Sequence, residues 1–202
     1  NADGTYNFQD VDLYERTGTA TQTVIPLDSS LSVLSSTVVN APVTKDFPVT
    51  RTINDTNVDA VRITINIPAL QKINNKNGDT LGSSVQLKIA VKYTNISTGS
   101  ETAYDEVIGY STDEIIRGRT ADAYNRQYEI RFKKGSGEIG ENSTYTVKIT
   151  RVTEDSNDSL HSNAFSWSSF TTVKFAPQTY DNTALIGVRL DAQQFSSIPS
   201  RK

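Results

Sequence analysis

Four stretches of this chain alternate apolar and polar residues with a period of two, and nothing constrains its fold more. Val61, Ile63, Ile65 and Ile67 alternate with Arg62, Thr64 and Asn66. Val85, Leu87, Ile89, Val91 and Tyr93 alternate with Gln86, Lys88, Ala90 and Lys92. Tyr128, Ile130 and Phe132 alternate with Glu129, Arg131 and Lys133, and Tyr145, Val147 and Ile149 with Thr146, Lys148 and Thr150. Successive side chains of a strand point to opposite faces, so each stretch predicts a strand with one face on a core and the other in water. The abundance of Val, Ile, Thr and Tyr suits such half-buried pleated surfaces. A helix would need apolar residues at i, i+3, i+4 and i+7, and no long stretch supplies them.

Turn chemistry separates the strands. Asn74-Asn75-Lys76-Asn77-Gly78-Asp79 holds an Asn-Gly pair, which takes the positive φ values of tight turns. Asn95 to Gly99 and the glycine-bearing Lys133 to Asn142 are further breaks. The pattern predicts an all-β fold: an antiparallel, fibronectin/immunoglobulin-like β-sandwich of about seven to nine strands, built from hairpins, with extended flanking segments. Val61, Ile63, Ile65, Leu87, Ile89, Val91, Ile130, Val147 and Ile149 would fill a core between sheets about 10 Å apart. At 202 residues the chain is long enough for such a core. Thr17 to Val49 reads as extended chain with one or two edge strands, and Ala184 to Leu190 as a further strand. Ser111-Thr112-Asp113-Glu114 fits a capping box opening one helical turn before Ile115, or a loop. The expected organisation is a leading arm or linker over residues 1–24, a sandwich over 25–178 and a closing strand over 179–202.

Composition removes several chemistries. With no Cys there is no disulfide framework, thiolate metal site or cysteine nucleophile. A single His leaves no multi-histidine metal site. The absence of Met marks a fragment or processed product in this reading. The net charge of −3 argues against nonspecific nucleic-acid binding, which needs a Lys/Arg excess. No apolar run is long enough to span a membrane as a helix.

The remaining motifs read as structure. Gly135-Ser136-Gly137-Glu138-Ile139-Gly140 fits G-x-G-x-x-G, but a dinucleotide site needs a helix next, and Thr144 to Val152 is a strand by pattern. A Ser-His-Asp triad would have to use His161, which lies in a polar loop, and no G-x-S-x-G elbow occurs. Asn75, Asn77 and Asp79 alternate around Gly78, and Asp155, Asn157 and Asp158 cluster, but neither run matches a full calcium loop of six to eight oxygens, and the first reads better as a hairpin turn. The N-x-[ST] sequons at Asn54, Asn95, Asn142 and Asn157 are expected by chance in so Asn-, Ser- and Thr-rich a chain. No catalytic, metal or cofactor residue is therefore assigned. Trp167 is a core anchor or an exposed contact residue, and its alternation with Phe165 favours the core.

The order of segments adds a resemblance. It rests on Leu13-Tyr14-Glu15-Arg16-Thr17-Gly18-Thr19, Arg51-Thr52-Ile53-Asn54-Asp55, Val58-Asp59-Ala60-Val61-Arg62-Ile63-Thr64 and Pro68-Ala69-Leu70. Tyr124-Asn125-Arg126-Gln127-Tyr128 and Val147 to Thr153 with Asp155-Ser156 follow, and Tyr180 to Asp191 with Gln194-Phe195 and Ile198-Pro199 closes the series. This series resembles the tip attachment (host specificity) protein J family of lambda-like phage tails, most specifically in the closing segment and in Val58 to Thr64. The resemblance implies an inserted β-domain from the N-terminal hub half of a much larger, trimeric protein at the distal tail tip of a phage or prophage. It implies other tail-tip subunits as partners, a bacterial receptor bound through other domains, a closing strand that returns to the hub, and no catalysis. The competing expectation is a carbohydrate- or receptor-binding module presenting aromatics, with Tyr104, Tyr110, Tyr124 and Trp167 as candidates. A glycan-cleaving domain would instead need two carboxylates in one cleft. On its own the fragment is expected to be monomeric or weakly self-associating.

Overall fold

The computed structural model describes residues 11–25, 32–109, 115–134, 136–175 and 180–190. The strands in chain order are β1 (Asp12–Thr17), β2 (Ser32–Pro42), β3 (Val49–Ile53), β4 (Ala60–Ile67), β5 (Gln71–Ile73), β6 (Thr80–Asn95) and β7 (Asp105–Ile108). They continue with β8 (Ile115–Gly118), β9 (Tyr124–Arg131), β10 (Ser143–Arg151), β11 (His161–Ser162), β12 (Ser166–Phe175) and β13 (Ala184–Arg189). No helix occurs among the described residues. The chain divides into two compact units, one of Val33–Lys174 and one of Asn1–Ser32 with Phe175–Lys202.

The larger unit is a β-sandwich. One sheet has seven strands, in the order β11-β5-β6-β10-β3 with β7 and β8 also paired to β6, and the other has four, in the order β2-β12-β4-β9. All the pairings are antiparallel where the register is defined. All nine residues expected to fill the core are buried, in one cluster with Tyr93, Tyr145, Trp167 and Phe170. The outer faces carry cross-strand polar pairs, such as Arg62 with Glu129 at 2.9 Å.

Two expectations need correction. The long strands are not joined as hairpins: β3, β6 and β10 lie in one sheet, while β4, β9 and β12 lie in the other. The glycine-bearing link from Lys133 to Asn142 therefore carries the chain from one sheet to the other. Gly140 makes this crossing possible, because its N–H bonds Lys133 O at 2.7 Å and a Cβ there would stand 2.3 Å from that oxygen. The strand count is also higher than expected, because β5, β7, β8 and β11 hold only three, four, four and two residues. Such pieces are too short for alternation to register. The Asn-Gly turn does form a hairpin, between β5 and β6, with Gly78 at φ +76°. Ser111–Glu114 lies outside the described residues, and Ile115 and Ile116 after it belong to a strand.

Aromatic stacking and a buried arginine lock this unit. Phe132 stacks on Tyr145 with ring centroids 3.9 Å apart, and Tyr93 meets both edge-on. The Tyr145 hydroxyl donates to Gly140 O at 3.2 Å, and burial pushes its pKa up to about 12. Arg151, fully buried, donates to the carbonyls of Thr153, Glu154 and Asn163 at 2.8–2.9 Å and pairs with Asp155 at 3.0 Å. Its guanidinium thereby organises the polar segment between β10 and β12. Burial pulls its pKa below the ordinary arginine value, with Asp155 and Glu154 opposing.

The smaller unit is a two-stranded ribbon of β1 and β13, in register from Asp12–Arg189 to Thr17–Ala184. Directly opposed residues share a face. Leu13, Glu15, Ile186 and Val188 thus lie on one face, and all are exposed, Ile186 at 71%. Below the ribbon, Gln22 is buried and donates to the carbonyls of Tyr180 and Thr183 at 2.6 and 2.9 Å. Arg16 donates to the carbonyls of Thr23 and Val24, each at 2.7 Å.

Candidate functional site

The four aromatics considered from sequence fall in different places. Trp167 is a core residue with no exposure; its ring packs near Phe170 and its Nε1 donates to Ser169 O at 3.0 Å. Its place in the sandwich interior removes it from any binding surface, as its alternation with Phe165 implied. Tyr110 lies outside the described residues. Tyr104 is half-buried, with Lys148 Nζ 4.0 Å and Lys92 Nζ 5.8 Å from its ring centroid, a cation–π pairing on the outward side of β6 and β10. Lys92 also pairs with Glu101 at 2.8 Å, which raises the lysine's pKa and lowers the carboxylate's.

Tyr124 opens β9 and is half-buried in a cleft of about 480 Å³ lined by Ile115, Ile116, Arg117, Gly118, Arg119, Thr120 and Arg126 as well. The local sequence explains the cleft. β8 pairs with β6 in one sheet and β9 with β4 in the other, so residues 119–123 step between sheets. A backbone bridge, Leu70 N–H to Thr120 O at 2.9 Å and Thr120 N–H to Leu70 O at 3.0 Å, fixes that step. Arg117 and Arg119 are two apart, as are Tyr124 and Arg126, so each pair points the same way along extended chain. Gly118 keeps the floor open, since a Cβ there would lie 3.3 Å from Leu70 Cδ2 and 3.7 Å from the Tyr124 hydroxyl. Burial raises the Tyr124 pKa and the nearby Arg126 charge lowers it, with burial the larger effect. The three arginines are exposed, and no ion pair among the described residues reaches them.

A second, smaller recess of about 330 Å³ is lined by Pro68, Ala69, Asp155, Ser156, Asp158, His161 and neighbours. The sequence pattern puts His161 in a polar loop. It sits on β11 with Nε2 2.7 Å from Ser83 Oγ, a contact that no local motif announces because 78 residues separate the two. The nearby carboxylates are engaged in the backbone: Asp155 accepts from Lys45 N–H at 2.7 Å and Asp158 from Leu160 N–H at 2.9 Å. The contact ties β6 to β11. Asn77 and Asp79 likewise bond each other and their own turn. Among the described residues no cluster of three His, Asp or Glu could hold a metal ion.

Comparison with known proteins gives a consistent picture. Residues 33–176 match the family model described as "Tip attachment protein J, FNIII-A domain". The chain is similar to the tip attachment protein J of Escherichia phage SECphi4, 33% identical over 199 residues, and to that of Escherichia phage SECphi27, 30% identical over 200. It is covered to 98% in both cases but spans only 16% and 15% of these relatives' lengths. Among solved structures, one of infectious bursal disease virus Gx strain overlaps 92% of this chain and 38% of its own at 10% identity and a TM-score of 0.32, too slight to bear on the argument.

Proposed function

This chain belongs to the tip attachment protein J family, and we propose that it serves as a structural and interaction domain of the phage tail tip, located at the distal end of the virion's tail. One observation carries the mechanistic part: the strands that lead into and out of the sandwich, β1 and β13, are paired side by side. A domain whose two ends are neighbours can be inserted into another domain without disturbing it, as the expected return of the closing strand to a hub requires. The exposed Leu13, Ile186 and Val188 face of the ribbon is the surface that the rest of such a protein would cover. In this reading the sandwich works by rigid β-surface contacts with neighbouring tail-tip subunits, without catalysis. The full-length protein is a homotrimer, and receptor contact belongs to other domains. The test is a nanobody raised against the sandwich and imaged on intact virions. Label at the distal tail end supports the proposal, whereas label on the capsid or tail shaft contradicts it.

A second reading has its own observation. Tyr104 between two lysines, and Tyr124 among three arginines, are partly exposed aromatics beside cations, a composition enriched where proteins bind ligands. Under this reading the sandwich is itself a carbohydrate- or receptor-binding module. A glycan array probed with the 202-residue chain separates the two, since a purely structural domain leaves it blank.

A further inference from the structure

We propose that the cleft between β8 and β9 is a binding site for a phosphate-bearing saccharide, held by Arg117, Arg119 and Arg126 with the sugar against Tyr124. The inference rests on the carbohydrate-binding reading and narrows it to one cleft and one ligand chemistry; a glycan array with signal but none dependent on this cleft would sink the inference alone. Many of the sandwich's other cations meet carboxylates, as in Lys45–Glu154 at 3.1 Å, Lys133–Asp105 at 2.6 Å and Lys174–Asp55 at 2.6 Å. The cleft departs from this pattern. Among the described residues its lining holds three guanidinium groups and no carboxylate, in a chain whose net charge is −3. Gathering like charges costs energy unless an anion joins them.

The chemistry of the lining selects the anion. Guanidinium forks match the oxygens of phosphate and carboxylate in bidentate geometry. Three positive charges exceed what one carboxylate neutralises, and a phosphate monoester near neutral pH carries up to two negative charges. The cleft, at about 480 Å³, also falls within the range typical of small-molecule sites. The half-buried Tyr124 ring and Ile115 give an apolar wall for a sugar's carbon face, and Gly118 leaves the floor clear of side-chain bulk.

The experiment titrates the 202-residue chain with glucose 6-phosphate, glucose, glucuronate and a poly-glutamate peptide at low salt, read by amide NMR shifts. Glucose 6-phosphate should bind at least about tenfold more tightly than glucose or glucuronate, with shifts centred on residues 115–126. R117Q and R126Q should each weaken it about tenfold, the loss expected of one charge-assisted hydrogen bond, while R62Q on an outer sheet face leaves it unchanged. These arginines are exposed, so the variants keep the fold, and unchanged shifts outside the cleft verify it. Equal binding of glucose and its phosphate, undiminished binding in R117Q/R126Q, or binding of poly-glutamate alone would overturn the proposal. The last result would assign the cleft to an acidic protein surface.

Discussion

The sandwich and the ribbon follow the same rule of alternation and arrive at opposite outcomes. In β4, the side chains of Val61, Ile63, Ile65 and Ile67 are all fully buried, because β6 and β10 supply a second layer that interlocks with them. In the ribbon, Leu13, Ile186 and Val188 point to one face just as regularly and stay exposed. The difference teaches that a period of two fixes which side of a strand is apolar, but leaves open what covers it. It also separates two sources of order. The sandwich is held by its own apolar interior. The ribbon is held by backbone pairing and by Gln22 and Arg16 bonding nearby carbonyls, which for an isolated two-stranded element gives marginal stability at best.

The contrast can be broken or sharpened by four measurements. Trp167→Ala opens a cavity in the sandwich core and should cost about 3–5 kcal/mol in denaturant unfolding. A loss below about 1 kcal/mol would mean the core is far less tightly packed than that of a native interior. The next effect comes from pH. The Tyr145 pKa is raised to about 12, above the value near 10 of an unfolded tyrosine. The stability held in the neutral phenol is fully present below pH ~10 and is lost as pH rises through the folded value, up to about 2–3 kcal/mol. Alkaline unfolding curves of the wild type and of Tyr145→Phe should diverge in that window, and parallel curves would refute the assignment. Gly109→Ala should cost about 1–3 kcal/mol. Gly109 has φ +93° and a Cβ there would lie 2.4 Å from Leu87 O, so a neutral result would show that the β6–β7 approach relaxes freely. Last, Ile186→Thr on the ribbon should change stability by less than about 0.5 kcal/mol. A cost comparable to that of a core substitution would show that its face is covered after all.

The core was the most legible part of the sequence. Residues such as Val61, Leu87 and Ile149 announced themselves because burial and alternation are both local properties. Which sheet each strand joins was not legible, since nothing within Tyr128–Phe132 or Tyr145–Ile149 says that β9 and β10 part company. That choice rests on partners far away: Tyr128 lies opposite Ile63, and Tyr145 opposite both Tyr93 and Ile53. The arginine cleft was hidden for the same reason. No local pattern singles out Arg117 or Arg119, and Arg126 shares the parity of Tyr128 and Ile130, opposite Ile65. Only the step between sheets at Thr120 brings them to one opening. Tyr124 was picked out as a surface aromatic, but its neighbours were not.

The pairing of β1 with β13 also has a mechanical meaning. Tension applied to the chain on the outer side of Asp12 and Arg189 pulls that pair apart first, and then each next pair down to Thr17–Ala184. Hydrogen bonds loaded this way break one rung at a time at low force, instead of resisting together in shear. Along the chain the ribbon is thus a zipper in series with the sandwich, loaded at its outermost rung.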